Sequence, residues 1–225
     1  MLKKVDLVKT QCTSQDFVYA LFSAWTKLFG QYPSKEAVGV VFAQWGIETG
    51  AGQACWNWNV GNYKVRDKAG VEVKYFALPG TWEIIGDKKV IIPTSDPGSW
   101  FLAFDTCTEG MTVHLNFLAN QRYAPAWKYV LSGDVAGFSK RIRQLGYYTA
   151  SEQDYTKGMN YYFRWYMKSG LYEEATRNAA AKIESQKVRD VLYTSPDFSY
   201  TPELSNEELP KPKTIWQSVK SWFQK

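Results

Sequence analysis

The chain has 225 residues, 45% of them hydrophobic, so it can bury a sizeable core as one large domain or one domain with an appendage. Its net charge of +5 comes from scattered cations, which suits an acidic polymer such as a bacterial wall, lipopolysaccharide or nucleic acid and does not choose among them. No basic helix, zinc-finger spacing or RNP-like aromatic motif accompanies that charge, and nucleic acid is not an expected partner. Three cysteines, Cys12, Cys55 and Cys107, are too few, too widely spaced and odd in number for a disulfide framework or a zinc site, and they fit a reducing cytoplasm. Aromatic residues reach 16%, with 10 Trp and 15 Tyr; their rings fill cores and can also stack on the apolar faces of sugars.

The N-terminal segment has two lysines but no apolar run behind them, so no signal peptide is expected, and no stretch reaches transmembrane length. From Ser14 to Phe29 apolar residues recur at helical spacing, with Gly30 closing the pattern. Pro33 and Ser34 read as a turn and helix N-cap, after which Val38, Val41, Phe42 and Trp45 continue an apolar stripe that stops at Gly50 and Gly52. Residues from about Tyr63 to Phe104 change character, with alternation in Val71-Glu72-Val73-Lys74-Tyr75-Phe76 and a polar Gly86-Asp87-Lys88-Lys89 turn; short strands forming a small antiparallel lobe are expected. Helical spacing returns after Thr108, again from Val135 to Leu145, from Tyr155 to Lys168 and from about Glu173 to Leu192. The spacing thus predicts one domain over residues 1–200. Residues 201–225 follow as a Pro-rich linker and a basic amphipathic helix carrying Ile215, Trp216, Val219, Trp222 and Phe223 on one face. That helix either docks on the domain or contacts a membrane surface or partner.

The chemistry concentrates at Glu48. At 100° per residue it falls within about 20° of Val41 on the apolar side of its helix, next to Trp45. Burial there disfavours the ionised carboxylate and raises its pKa, as a general acid requires; a Glu satisfied by one structural hydrogen bond is the alternative. The only histidine, His114, lies between Met111 and Leu118 at helical spacing and reads as a packed side chain rather than a base. One histidine cannot supply a zinc hydrolase, no G-x-S-x-G elbow is present, and pairing Cys55 with His114 has no other support. No metal or cofactor is expected.

The run Ala43-Gln44-Trp45-Gly46-Ile47-Glu48-Thr49-Gly50-Ala51-Gly52 followed by Asn57-Trp58-Asn59-Val60-Gly61-Asn62-Tyr63-Lys64 resembles glycoside hydrolase family 73, the bacterial and phage N-acetylglucosaminidases of the lysozyme-like superfamily. Further segments follow in the family's order: Phe101 to Thr106 with Glu109-Gly110, then Arg122-Tyr123-Ala124, then Leu145-Gly146-Tyr147-Tyr148-Thr149 with Asp154-Tyr155. The matches extend from about Glu36 to Gly158, more than half the chain.

The resemblance implies a mainly α (α+β) lysozyme-like fold, with a helical body and a small antiparallel β-lobe flanking a substrate groove. It implies peptidoglycan glycan strands as the partner; separately from the resemblance, a monomer is the expected working form. Glu48 takes the role of proton donor to the glycosidic oxygen, the step an oxocarbenium-like reaction most needs. Tyr147 matches a tyrosine facing the cleft, against the alternative of an aromatic filling a helix end. The second carboxylate falls on the lobe, where Thr81-Trp82-Glu83-Ile84-Ile85-Gly86-Asp87-Lys88 is the closest match and Glu83 the expected residue; Asp87, Glu72 and Asp105 remain alternatives. Asn59, Asn62 and Tyr63 are expected to line the cleft and bind sugar hydroxyl and acetamido groups. The segment departs here from the family's usual N-N-L-F-G-I-K, which leaves the subsite preference open, and Trp56 and Trp58 read as packing or as stacking platforms.

The expected activity is cleavage of β-1,4 glycosidic bonds by an endo-β-N-acetylglucosaminidase, with muramidase and lytic transglycosylase as rivals. A non-catalytic wall-binding module of a phage tail or secretion apparatus is the alternative of another class. An outside substrate without a signal peptide suggests a chain made in the cytoplasm and delivered to the wall by holin release or within a virion, as a phage endolysin would be.

Overall fold

The computed structural model describes residues 1–65, 72–85 and 88–194. Contacts divide the chain into two compact units, Met1–Tyr172 and Glu173–Lys225. The division falls earlier than the boundary at residue 200 that the spacing suggests. The amphipathic segment over 201–225 lies outside the described residues, as does Asp87.

The fold is mainly helical with two small sheets, an α+β arrangement. Helix α1 (Ser14–Phe29) starts at a capping box in which Thr13 accepts from Asp16 N and Asp16 answers to the Thr13 backbone; it ends at Gly30 in the left-handed region. Helix α2 (Lys35–Thr49) is capped by Ser34 and closed by Gly50 at φ 59°. The sequence suggests a single apolar stripe on α2, but every residue from Ala37 to Gly46 is buried. A helix apolar on all sides belongs in the middle of a body rather than on its surface, and α2 is that central helix.

Helices α3 (Cys107–Ala119), α4 (Ala124–Leu131), α5 (Val135–Gln144) and α6 (Glu152–Lys168) follow, and α7 (Leu171–Thr194) runs from the first unit into the second. Of these, α4 is the one that spacing does not announce. At eight residues, with Pro125 in its first turn, it is short enough to read as a turn. Around α2 the core is aromatic: Phe17 stacks on Trp45 with centroids 4.3 Å apart, and Phe42 meets Trp45 at 5.2 Å and Tyr166 at 5.1 Å. Complete burial of one such ring contributes roughly 2–3 kcal/mol.

Glycines set the approach of α2 to α6. A Cβ on Gly39 would lie 2.7 Å from the Phe163 ring, and one on Gly46 would lie 2.5 Å from Tyr162 Cγ. Both contacts are below any tolerable separation, so the two helices close on the bare backbone of α2.

The lobe differs from the purely antiparallel one expected. Strand β1 (Leu2–Lys4), at the N-terminus, pairs in parallel with β2 (Val73–Ala77), which pairs antiparallel with β5 (Trp100–Leu102). Leu2-Lys3-Lys4 is short and shows no apolar–polar alternation, so nothing local signals a strand, and only the distant edge of β2 makes β1 one. A separate hairpin joins β3 (Trp82–Ile85) to β4 (Lys88–Ile91), with Glu83 opposite Val90. Phe76, Phe101 and Ala103 form the lobe's small core, with Trp56 packed against it.

Gly46→Ala should reveal the importance of the α2–α6 approach. Alanine is better than glycine in a helix by about 1 kcal/mol, whereas forcing a methyl into a packed interface costs about 1–3 kcal/mol, so a net loss of up to roughly 2 kcal/mol is expected in denaturant unfolding. A gain in stability would show that Tyr162 moves aside freely.

Candidate active site

Glu48 occupies the last turn of α2, where the buried helix reaches the surface, and it is half-buried. Its carboxylate accepts a hydrogen bond from the Tyr155 hydroxyl at 2.6 Å. Tyr155 sits in the first turn of α6, so the glycine-mediated approach of α6 to α2 brings the two together. Two influences act on the carboxyl: burial raises its pKa above 4.5, and the Tyr155 hydrogen bond, which favours the charged form, lowers it by less. The outcome is a carboxyl that holds its proton more tightly than a solvated one. The amide of Gln44, one turn earlier on α2, lies beside the Tyr155 hydroxyl. The Tyr155 ring stacks on Tyr148 with centroids 3.7 Å apart, which fixes the phenol's direction.

An arc of aromatic rings completes the surround. Tyr63 meets Phe117 at 4.7 Å, Phe117 meets Tyr123 at 4.8 Å, and Tyr123 meets Tyr147 at 5.3 Å. Burial, then the negative charge of Glu48, raises the pKa of both Tyr63 and Tyr147, so both phenols are neutral donors within the carboxylate's field. Tyr147 is half-buried, its ring set edge-on to that of Tyr123. Tyr63 is held differently, its hydroxyl 2.6 Å from His114 Nδ1. His114 is fully buried, and desolvation pushes its pKa down to about 4, so it is a neutral imidazole that positions Tyr63.

The loop after Glu48 is wound tightly. Ala51, Asn57, Trp58 and Asn62 all have φ between 46° and 55°, a region that costs most side chains energy and that Asn tolerates best. Asparagine amides hold this loop by substituting for backbone partners. Asn57 accepts from Val8 N and donates to Asp6 O, at 3.0 and 2.9 Å.

Asn59, expected in the cleft, is 1% exposed: its Nδ2 donates to Tyr63 O and Leu102 O, and its Oδ1 accepts from Tyr63 N. The amide is fully committed, so Asn59 shapes the turn and does not meet a ligand. Asn62 is exposed and donates to Glu48 O at 3.2 Å, which ties the turn to the end of α2. Trp56 packs on the lobe core under Lys9, a structural placement, while Trp58 is half-buried.

Glu83 lies on the β3–β4 hairpin, exposed, and is ion-paired with Lys64, the residue after Tyr63. The lobe carboxylate is thus fastened to the turn that also carries Asn62 and Tyr63. Asp105 is bound instead by Lys74, at 2.5 and 2.8 Å, and Glu72 is exposed just before β2. Sequence reasoning missed Tyr155 as a site residue. A buried tyrosine needs a partner for its hydroxyl, but 107 residues separate it from Glu48, and spacing carries no information across that distance.

Two outcomes follow from this arrangement. Because the folded state holds the Glu48 proton more tightly than the unfolded chain, the carboxyl favours folding below pH 4.5 and that contribution is lost as pH rises through the raised pKa. Glu48→Gln, which keeps an acceptor for Tyr155 without the charge, should therefore be more stable than wild type at pH 7, with the advantage fading towards pH 4 in denaturant titrations. Asn59→Ala leaves the Tyr63 N–H and the Leu102 carbonyl unpartnered, while Tyr63 O keeps Leu102 N, and should cost about 2–4 kcal/mol; Asn62→Ala, which loses an exposed bond and sets alanine at φ 52°, should cost about 1 kcal/mol. No protein-family model, curated protein or solved structure matches the chain.

Proposed function

We propose that the protein is a peptidoglycan hydrolase with a lysozyme-like arrangement of helical body and β-lobe, acting as an endo-β-N-acetylglucosaminidase on the glycan strands of bacterial walls. The observation that carries this reading is the Glu48 carboxyl: protonation-prone through burial, oriented by Tyr155 at 2.6 Å, and set at the open end of an otherwise buried helix. The ordered resemblance of the segments around Glu48, Tyr63 and Tyr147 to family 73 names the polymer.

In this mechanism Glu48 gives its proton to the glycosidic oxygen as the C1–O bond breaks. The leaving sugar departs as an alcohol, and positive charge develops on C1 and the ring oxygen. The electron-rich ring faces and phenol oxygens of Tyr63 and Tyr147 stabilise that charge, and the Glu48 carboxylate left behind adds its own field. Glu83, approaching from the lobe after releasing Lys64, takes a proton from the attacking water or supports attack by the substrate's own acetamido oxygen. Tyr155 keeps the carboxyl aimed throughout. Action on the wall places the working protein outside the compartment where it is made, delivered by holin release or within a virion.

The test is mass spectrometry of muropeptides released from purified walls by wild type, Glu48→Gln and Glu83→Gln. Wild type should yield reducing N-acetylglucosamine ends, and Glu48→Gln should lose at least about a thousand-fold in rate, the order of a general acid's contribution combined with its field. Reducing muramic ends would make it a muramidase, and anhydro-muramic ends a lytic transglycosylase. No product from any form, with binding to walls retained, would make it a wall-binding module. Glu48→Gln at wild-type rate would overturn the mechanism.

A further inference from the structure

The three cysteines, which sequence spacing leaves unrelated, are brought into one group. Cys12 lies in the turn before α1, Cys55 in the strained loop after α2, and Cys107 in the first turn of α3. Cys12 Sγ is 3.6 Å from Cys107 Sγ across 95 residues of chain, and the Cys12 thiol also interacts with that of Cys55. Cys12 is thus the middle member. It is 3% exposed, Cys55 is fully buried, and Cys107 is half-buried with access to solvent. The packing that creates this group is specific: a Cβ on Gly52 would fall 2.0 Å from the Cys12 carbonyl oxygen, so only glycine lets the post-α2 loop lie against the Cys12 turn. Among the described residues no group of three or more His, Cys, Asp or Glu side chains is arranged to hold a metal ion, which leaves thiol chemistry as the group's distinctive capacity.

We propose that Cys107 and Cys12 form a disulfide-acquiring pair: a small-molecule disulfide such as oxidised glutathione reacts at Cys107 and is resolved by Cys12, giving a Cys12–Cys107 cross-link. In the first step the Cys107 sulfur attacks one sulfur of the oxidant. The oxidant's S–S bond breaks, and one thiol equivalent leaves with the proton lost by Cys107. In the second step the Cys12 sulfur attacks Cys107 Sγ, the mixed disulfide breaks, and the second thiol equivalent departs. Two protein thiols are oxidised and one disulfide is reduced to two thiols.

Cys55 stays a thiol throughout: burial closes it to the reagent, and the Cys12 proton leaves with the second thiol equivalent. Access dictates the order, since only Cys107 can meet an external reagent. The cross-link ties the turn before α1 to the start of α3, and the loop it closes contains Glu48 and Glu83. In a reducing compartment the three thiols stay free; in an oxidising one the pair closes.

The experiment treats the purified full-length protein with oxidised glutathione, alkylates the remaining thiols and maps peptides without reduction. A single Cys12–Cys107 peptide with Cys55 alkylated is expected, and the oxidised protein should melt roughly 10 °C higher than the reduced one, as closure of a long loop implies. Cys12→Ser should accumulate stable glutathione on Cys107. Cys107→Ser, which changes the accessible member and leaves the buried two in place, should keep both thiols free and show no shift in melting on oxidation. Lasting glutathionylation of wild-type Cys107, a Cys12–Cys55 peptide in its place, or three thiols still free after oxidation would each overturn the proposal.

Discussion

Contact between α2 and α6 is the constraint from which the rest of the site follows. Gly39 and Gly46 leave no side chain between the helices, and the rings of Phe163 and Tyr162 press directly on the α2 backbone. That approach puts Tyr155 within 2.6 Å of Glu48, although the two are far apart in sequence. A helix separated by even one additional methyl would move the phenol by a distance comparable with the tolerance of a hydrogen bond. The carboxyl would then be buried without a partner.

The same contact creates a tension between stability and chemistry. A carboxyl at the end of a helix buried on every side must either lose its charge or find donors. Here it does some of each: burial favours the protonated form, and Tyr155 supports the charged one. A group balanced in this way can give up a proton and tolerate the charge left behind, which is what a general acid must do in turnover. The cost falls on the folded state and is met by the aromatic core around Phe17, Phe42 and Trp45.

The asparagine-rich loop solves a different problem. Four non-glycine residues between Ala51 and Asn62 take left-handed backbone conformations, and so tight a path cannot satisfy its own N–H and C=O groups by regular pairing. Asn57 and Asn59 supply the missing partners from their side chains. Asn62 and the Lys64–Glu83 ion pair then connect the end of α2 to the hairpin. The lobe is a light structure, with a three-residue core and short strands, and these side-chain ties act beside backbone bonds from Leu102 N to Tyr63 O and from Phe104 N to Asn57 O that join it to the loop after Glu48.

Local signals in the sequence determined much of the helical body. Ser34, Gly30 and Gly50 marked helix ends because capping depends on neighbouring residues alone, and the stop after Glu48 placed that carboxyl at the end of a helix. Helical spacing located α1, α2, α3, α5, α6 and α7, and missed only the short α4. Tertiary structure alone decided the remainder, because those features are pairings between distant segments. Asn59 looked like a sugar ligand until Tyr63 and Leu102 took up its amide; β1 became a strand only beside β2; Tyr155 became part of the site only when α6 closed on glycines. For Glu48 itself, the sequence determined that a carboxyl would sit at the end of an apolar helix, and the fold determined which phenol would hold it, because hydrogen bonds form between neighbours in space.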